Sequence, residues 1–228
     1  MNKYTQIRQR LAAIAKSLAD EKRDLLEKFK AEYHQLERSD FVWHYLLQSF
    51  ATMGNARGWD GLIGNGDNYE KVTFDALAQL SPLYRRSVLE QTLRDAKVRM
   101  PVKKAEWLAR NFDRIVEMGG LAEVKAALLS KSGREDKIRF LKSFVGIGDK
   151  YSRNIMMDVY HPDFRESIAI DARITSLSNE LGLSFDGYEE HEQFYLDVAH
   201  EAGLSGWELD RLIFNFREEI IFRLHQAA

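Results

Sequence analysis

Phe144-Val145-Gly146-Ile147-Gly148-Asp149-Lys150 constrains this chain more than any other stretch. Two glycines flank one apolar residue, and the run lies between two amphipathic segments. Before it, residues 136–142 carry helical spacing. After it, residues 150–160 place Ile155, Met156 and Val159 on one side. The spacing predicts a helix, a tight turn and a second helix. Glycine permits such a turn and lets another backbone come close. The amides of Gly146, Ile147 and Gly148 would then point outward near the N-terminus of the second helix, where an anion such as a DNA phosphate fits. A glycine-rich helix cap followed by a solvated lysine is the plainer reading of the same residues.

Helical periodicity dominates the remainder. Leu11, Ile14, Leu18, Leu25, Phe29 and Tyr33 recur at threes, fours and sevens across residues 3–37, with a break near Ala19-Asp20. Ser39-Asp40 offers an N-cap for an apolar helix over 41–53, and Ser81 offers one for a helix opening at Pro82. Pro101 also suits a first helical turn. Further helices are expected from Phe74, Val102, Leu121 and Arg134, and over 150–160, 170–181, 188–202 and 205–224. Strand alternation is hardly visible, so the expected fold is all-α with about ten helices.

A chain of 228 residues holds one large domain or two small intimate ones, and 45% hydrophobic residues support a sizeable core. No linker-like or repeated segment interrupts it. No apolar run approaches 18 residues, so no membrane span is expected. The first eight residues lack a secretory apolar core, which points to the cytoplasm. Cysteine is absent, which excludes disulfides and thiolate metal sites. The six histidines show no paired ligand spacing, and there is neither a P-loop nor a dinucleotide fingerprint. No metal or cofactor is therefore expected. The net charge of −2 gives no global attraction to nucleic acid. Residues 84–110, however, carry eight basic residues (Arg85, Arg86, Arg94, Lys97, Arg99, Lys103, Lys104, Arg110) against three acidic ones. Part of the acidic excess lies over residues 186–192. A dipolar protein can turn a basic face to phosphate, although each of these cations also suits the solvated side of a helix.

The hairpin followed about twenty residues later by an aspartate with apolar flanks resembles the helix-hairpin-helix DNA glycosylases, which include endonuclease III and the 8-oxoguanine glycosylases. Lys150 and Asp171, 21 residues apart, are the matching positions. Gln48-Ser49-Phe50-Ala51-Thr52-Met53-Gly54-Asn55-Ala56-Arg57 resembles the family segment after the first core helix. Val102-Lys103-Lys104-Ala105-Glu106-Trp107-Leu108 resembles a family helix start. Glu208-Leu209-Asp210-Arg211-Leu212-Ile213-Phe214 resembles the C-terminal helix of the small, archaeal-type 8-oxoguanine glycosylases. Residues from about 24 to 218 can be laid on that pattern. The resemblance implies a two-lobed helical fold with the active site in the cleft between lobes. One lobe would be discontinuous, residues 1–60 plus 161–228, and the other, residues 61–160, would carry the hairpin. Without cysteines, the resemblance is to members lacking the iron–sulfur cluster.

What the family does is then implied residue by residue. The partner would be double-stranded DNA with a damaged base, met by a monomer. The target nucleotide must leave the stack, because the duplex hides C1′. Lys150 would be the nucleophile, its place at a helix N-terminus favouring the neutral amine. Asp171 would stabilise positive charge building on the sugar; as Asp-Ala-Arg-Ile it is also a natural helix cap. Asn55 matches an asparagine turn that reaches the lesion from the minor groove. Lys103, Lys104, Gly146, Ile147, Gly148 and Arg153 are the further expected DNA contacts. Trp59, Trp207 and Phe214 suit stacking on a flipped purine, or a core. Asp210 suits a purine edge, or a pairing with Arg211 or Arg217. Two departures touch base recognition. Ala172-Arg173 follows the aspartate where the family often has His or Thr-His. The chain ends Arg223-Leu224-His225-Gln226-Ala227-Ala228, where some relatives end on a lysine whose carboxylate reads the base. The implied activity is excision of an oxidised purine, 8-oxoguanine first, with strand cleavage by β-elimination. Excision of another damaged base, or a phosphate grip without catalysis, are the alternatives.

Overall fold

The computed structural model describes residues 3–32, 35–54 and 57–226; Asn55 and Tyr33 lie outside the described residues. Thirteen α-helices and no strand occur among them. In chain order these are α1 (Lys3–Glu21), α2 (Arg23–Glu32), α3 (Phe41–Thr52), α4 (Gly66–Lys71), α5 (Phe74–Ala78), α6 (Pro82–Asp95), α7 (Pro101–Glu117), α8 (Leu121–Leu129), α9 (Gly133–Lys142), α10 (Asp149–Met157), α11 (Ala172–Glu180), α12 (Tyr188–Ala202) and α13 (Gly206–Gln226). None of them is long and apolar enough to cross a membrane. The expected all-helical class holds. The count exceeds the expected ten because the first periodic stretch breaks at Lys22 and because α4 is too short to leave a periodic signal.

The chain forms two compact units, Met1–His34 with Asp149–Ala228, and Gln35–Gly148. These boundaries differ from the expected ones at 60/61 and 160/161. Helix α3 packs on α7 and α8 and so belongs with residues 35–148. Helix α10 packs with the 3-10 turn Pro162–Phe164 and so belongs with the C-terminal helices.

In the 35–148 unit, α3 is buried almost all round, as its continuous apolar run requires. Trp43 donates its indole N–H to the Val72 carbonyl at 2.8 Å and meets Phe74 and Phe112 edge-on. Ser81 caps α6, accepting from the Tyr84 amide. Asp40 does not cap α3: its carboxylate takes the Arg38 guanidinium at 2.8 and 2.9 Å instead.

In the other unit, α1, α12 and α13 pack together around Leu11, Leu18, Tyr195, Val198, Leu212 and Ile213. Residues 167–170 run extended before α11, so the expected helix start at Ile170 is two residues early. Asp171 is the cap, and its carboxylate accepts from the amides of Arg173 and Ile174. Helix α13 is kinked at Phe216.

Candidate nucleic-acid interface and active site

The hairpin turn of the 35–148 unit is built against α7. Gly146 has φ +85, a conformation that other residues rarely adopt. A β-carbon there would sit 2.6 Å from the Trp107 ring and 2.8 Å from Phe50. The turn therefore lies against two aromatic rings with no room for a side chain at Gly146. Asn111, wholly buried on α7, grips the turn from the side: its Nδ2 donates to the Val145 carbonyl and its Oδ1 accepts from the Val145 amide. A β-carbon on Gly148 would meet nothing within 4 Å, so that side of the turn is open. Ile147, read as a DNA contact, is buried; its side chain serves the core, and only its backbone suits an anion.

The two adjacent lysines of α7 do different things. Lys103 is exposed, with Nζ 4.9 Å from the centre of the Trp107 ring whose edge contacts Gly146. Lys104, expected to contact DNA, is completely buried. It donates to the carbonyls of Phe50 at 2.8 Å and Met53 at 2.7 Å, closing the C-terminal end of α3. Burial, with Arg99 nearby, brings its pKa down to about 8. Much of the rest of the basic run is paired within the protein: Arg85, which is buried, pairs with Asp113, and the exposed Arg86 and Arg94 pair with Glu106 and Glu90. Arg99 and Arg110 are exposed, as are Trp59 and Met100. Met100, overlooked in the sequence, combines exposure with a left-handed backbone (φ 55) immediately before Pro101.

The other unit holds Lys150 and Asp171. Lys150 lies in the first turn of α10, half-buried, with Nζ 4.3 Å from the centre of the Tyr151 ring. Asp171 ends the extended segment, and every amide along residues 168–170 finds a side-chain acceptor. Ile168 donates to Glu192 Oε1, Ala169 to Asp210 Oδ1 and Ile170 to the Tyr188 hydroxyl. The Tyr188 hydroxyl in turn donates to the Ile168 carbonyl. Buried backbone must find partners, and with no neighbouring strand these side chains provide them. Gly206 allows the segment to lie against the start of α13, since a β-carbon there would come 2.9 Å from the Ser167 amide nitrogen.

This placement sorts the remaining expectations. Arg153, expected on DNA, is buried: Nε and Nη2 both lie 2.8 Å from Glu192 Oε2. Burial acts to lower its pKa, and Glu192 outweighs that effect, leaving it raised. Trp207, expected to stack on a base, is a core residue whose indole donates to the Met157 carbonyl at 2.9 Å. Phe214 is exposed, and the Arg173 guanidinium lies 3.9 Å over its ring while Nη1 donates to the Phe214 carbonyl. Asp210 is buried, facing the extended segment through Ala169 rather than facing solvent. Desolvation raises its pKa to about 6, against the lowering influence of Arg211 and the Ala169 amide. Asp171, Arg173, Asp210 and Phe214 thus come together around one segment.

The architecture defines the chain as an all-helical protein of the hairpin-bearing type. Its similarity to solved structures is to 8-oxoguanine DNA glycosylases. The enzyme of Methanocaldococcus jannaschii matches with a TM-score of 0.69 at 19% identity over 95% of this chain and 97% of that one. The 8-oxoguanine glycosylase/lyase of the same organism, in complex with a 15mer DNA containing 8-oxoguanine, matches with 0.67 at 20% over 92% and 97%. The 8-oxoguanine DNA glycosylase of Thermotoga maritima matches with 0.65 at 16% over 91% and 95%. At these identities the likeness establishes a shared fold. No protein-family model and no curated protein sequence matches the chain.

Proposed function

We propose that this chain is a base-excision DNA glycosylase with β-elimination lyase activity, acting on an oxidised purine, 8-oxoguanine first. The observation that carries the reading is the presence, within one unit, of an amine in the first turn of α10 and a carboxylate held at the end of a side-chain-clamped segment. The shared fold supports it, as does the open, pre-formed hairpin turn of the other unit, suited to a phosphate.

In this reading Lys150 Nζ attacks C1′ of a flipped nucleotide. The bond from C1′ to the base nitrogen breaks, and its electron pair leaves with the base, which takes up a proton. Positive charge builds on the sugar, where the Asp171 carboxylate lowers its energy. Two amides already hold one oxygen of Asp171, so little reorganisation accompanies the step. The C1′ amine then opens the sugar to an imine, loss of a C2′ proton expels the 3′ phosphate, and the strand is cut. Phe214 offers an exposed ring to the expelled base once Arg173 moves aside. Arg173 in place of histidine leaves other damaged bases as the second reading.

The test is a panel of duplexes, each with one lesion, incubated with and without borohydride. A covalent adduct on the 8-oxoguanine duplex, lost in Lys150→Gln, is the expected result. An adduct confined to another lesion would move the substrate; strand binding with no adduct on any lesion would leave a hydrolytic glycosylase, if a base is still released, or a DNA-binding module.

A further inference from the structure

The Arg153–Glu192 pair has no part in the chemistry just described, yet both side chains are only 3% exposed. A buried ion pair adds little net stability, because desolvation offsets the attraction. Its placement suggests another role. Arg153 lies one turn after Lys150 on α10, and its Nη1 reaches back 3.1 Å to the carbonyl of Asp149, the residue before Lys150. Its guanidinium also lies 4.3 Å over the Tyr188 ring. Glu192 uses one oxygen for Arg153 and the other for the Ile168 amide, and Tyr188 holds Ile168 and Ile170. The first turn of α10 and the segment ending in Asp171 are therefore joined by one continuous chain of hydrogen bonds.

We propose that Arg153, Glu192 and Tyr188 are positioning residues that hold the Asp171 segment in register with the first turn of α10 and so set the rate of base release. The proposal rests on the reading of Lys150 and Asp171 as the reacting pair. Asp171 matters most while the base departs and charge develops at C1′. A preformed abasic site has no base to lose and needs chiefly the amine. Loosening the clamp must then slow excision more than it slows β-elimination, and a misplacement of about 1 Å costs on the order of a hundredfold.

The experiment uses the full chain, unmutated, as Tyr188→Phe, as Arg153→Lys, and as the double variant Arg153→Met/Glu192→Met, which removes both buried charges together and so leaves neither uncompensated; circular dichroism and melting show that each variant is folded. Four quantities are measured: single-turnover excision of 8-oxoguanine, β-elimination at a preformed abasic site, affinity for the lesion duplex, and amide exchange at Ile168 and Ile170. In the double variant excision should fall about ten- to a hundredfold, β-elimination distinctly less, and affinity less than about twofold. Tyr188→Phe should exchange faster at Ile170 while α12 and α13 stay protected. Arg153→Lys, which keeps a cation beside Glu192, should lose less excision than the double variant. Wild-type excision in a folded double variant, or an equal fall in both reactions, overturns the proposal. If the unmutated protein attacks no lesion duplex, the catalytic reading fails by itself. The exchange arm still decides the clamp: unchanged exchange at Ile170 in Tyr188→Phe rejects it, and faster exchange upholds it as a structural device.

Discussion

Asn111 holds both backbone groups of Val145, donating from Nδ2 to its carbonyl at 3.0 Å and accepting its amide on Oδ1 at 2.8 Å. One buried side chain thus fixes the entry to the hairpin turn. Asn111→Leu would leave two backbone groups without these partners, at about 1–3 kcal/mol each. Urea denaturation should show a loss of about 2–6 kcal/mol in all, accompanied by weaker duplex binding. Stability and binding both like those of the unmutated chain would show that the turn needs no such hold.

Lys103 and Lys104 separate binding from folding. Lys103→Glu should leave the denaturation midpoint nearly unchanged, weaken duplex binding and flatten the salt dependence of log Kd by about 1–2 charges' worth. Lys104→Met should do the reverse. It strips the α3 C-terminal carbonyls of Phe50 and Met53 of their cationic donor, costing about 1–3 kcal/mol per lost partner. Titrations at several salt concentrations beside melting curves decide it, and a loss of binding in a fully stable Lys104→Met would restore that lysine to the interface.

The two hairpin glycines should also part company. Gly146→Val places a β-carbon into Trp107 and Phe50 at a left-handed φ, and about 3 kcal/mol or more of stability should go. Gly148→Val meets open space and should fold normally while losing affinity, because a side chain then stands where a phosphate would approach. Equal stability of the two variants would contradict the packing of the turn.

How far these roles are legible in sequence depends on how local their causes are. The turn at Gly146 and the cap at Asp171 lie within one short span and can be read from its own residues, whereas the reacting roles of Lys150 and Asp171 come from the resemblance. The inward turn of Lys104 is legible too, although its charge suggests DNA. Lys104, Leu108, Asn111 and Ile115 share one helical face of α7, and that phase turns Lys104 inward and Lys103 outward. Nothing local marks Arg153 and Glu192 as partners 39 residues apart, nor sends the Trp207 indole to Met157, 50 residues away. Tertiary packing makes those choices, whereas charge and aromaticity in the sequence point to solvent and to a base instead.

Asp171→Asn and Lys150→Gln should fail in different ways. Asparagine caps a helix as well as aspartate does, so Asp171→Asn should keep its fold and bind lesion DNA. Excision should fall on the order of 10²–10³ through the lost charge. Asp171→Ala should in addition lose about 1 kcal/mol of stability with the cap. Lys150→Gln should abolish trapping and strand cleavage and leave binding nearly intact. Trapping at the unmutated rate in Lys150→Gln would assign the attack to another amine.

Asp210 makes a pH-dependent contribution whose sign is set by its pKa. The carboxyl is raised from an ordinary 3.8 to about 6 in the folded protein. Below about pH 4 it is protonated whether folded or not, and its contribution is fully present. Between about pH 4 and 6 the unfolded chain releases the proton more readily, so stability declines, and above that window the loss is complete. Asp210→Asn keeps an oxygen for the Ala169 amide and removes the ionisation. Its stability relative to the unmutated chain should therefore rise by on the order of 2–3 kcal/mol between pH 4 and pH 7. Paired denaturant titrations at the two pH values would show no such divergence if the carboxyl titrates normally.

The split of the first unit has a consequence for how the protein is made. Residues 35–148 form an uninterrupted unit that can close as soon as Gly148 has left the ribosome. Helix α1 must wait: it packs on α12 and α13, and Arg10 donates to the Leu224 carbonyl 214 residues further along. Throughout most of translation the Leu11, Ala15 and Leu18 stripe stays uncovered, an aggregation hazard that lasts until α13 is synthesised. Helix α1, made before residues 35–148, is buried after them, and the lysine and aspartate share a folded unit only when that unit closes.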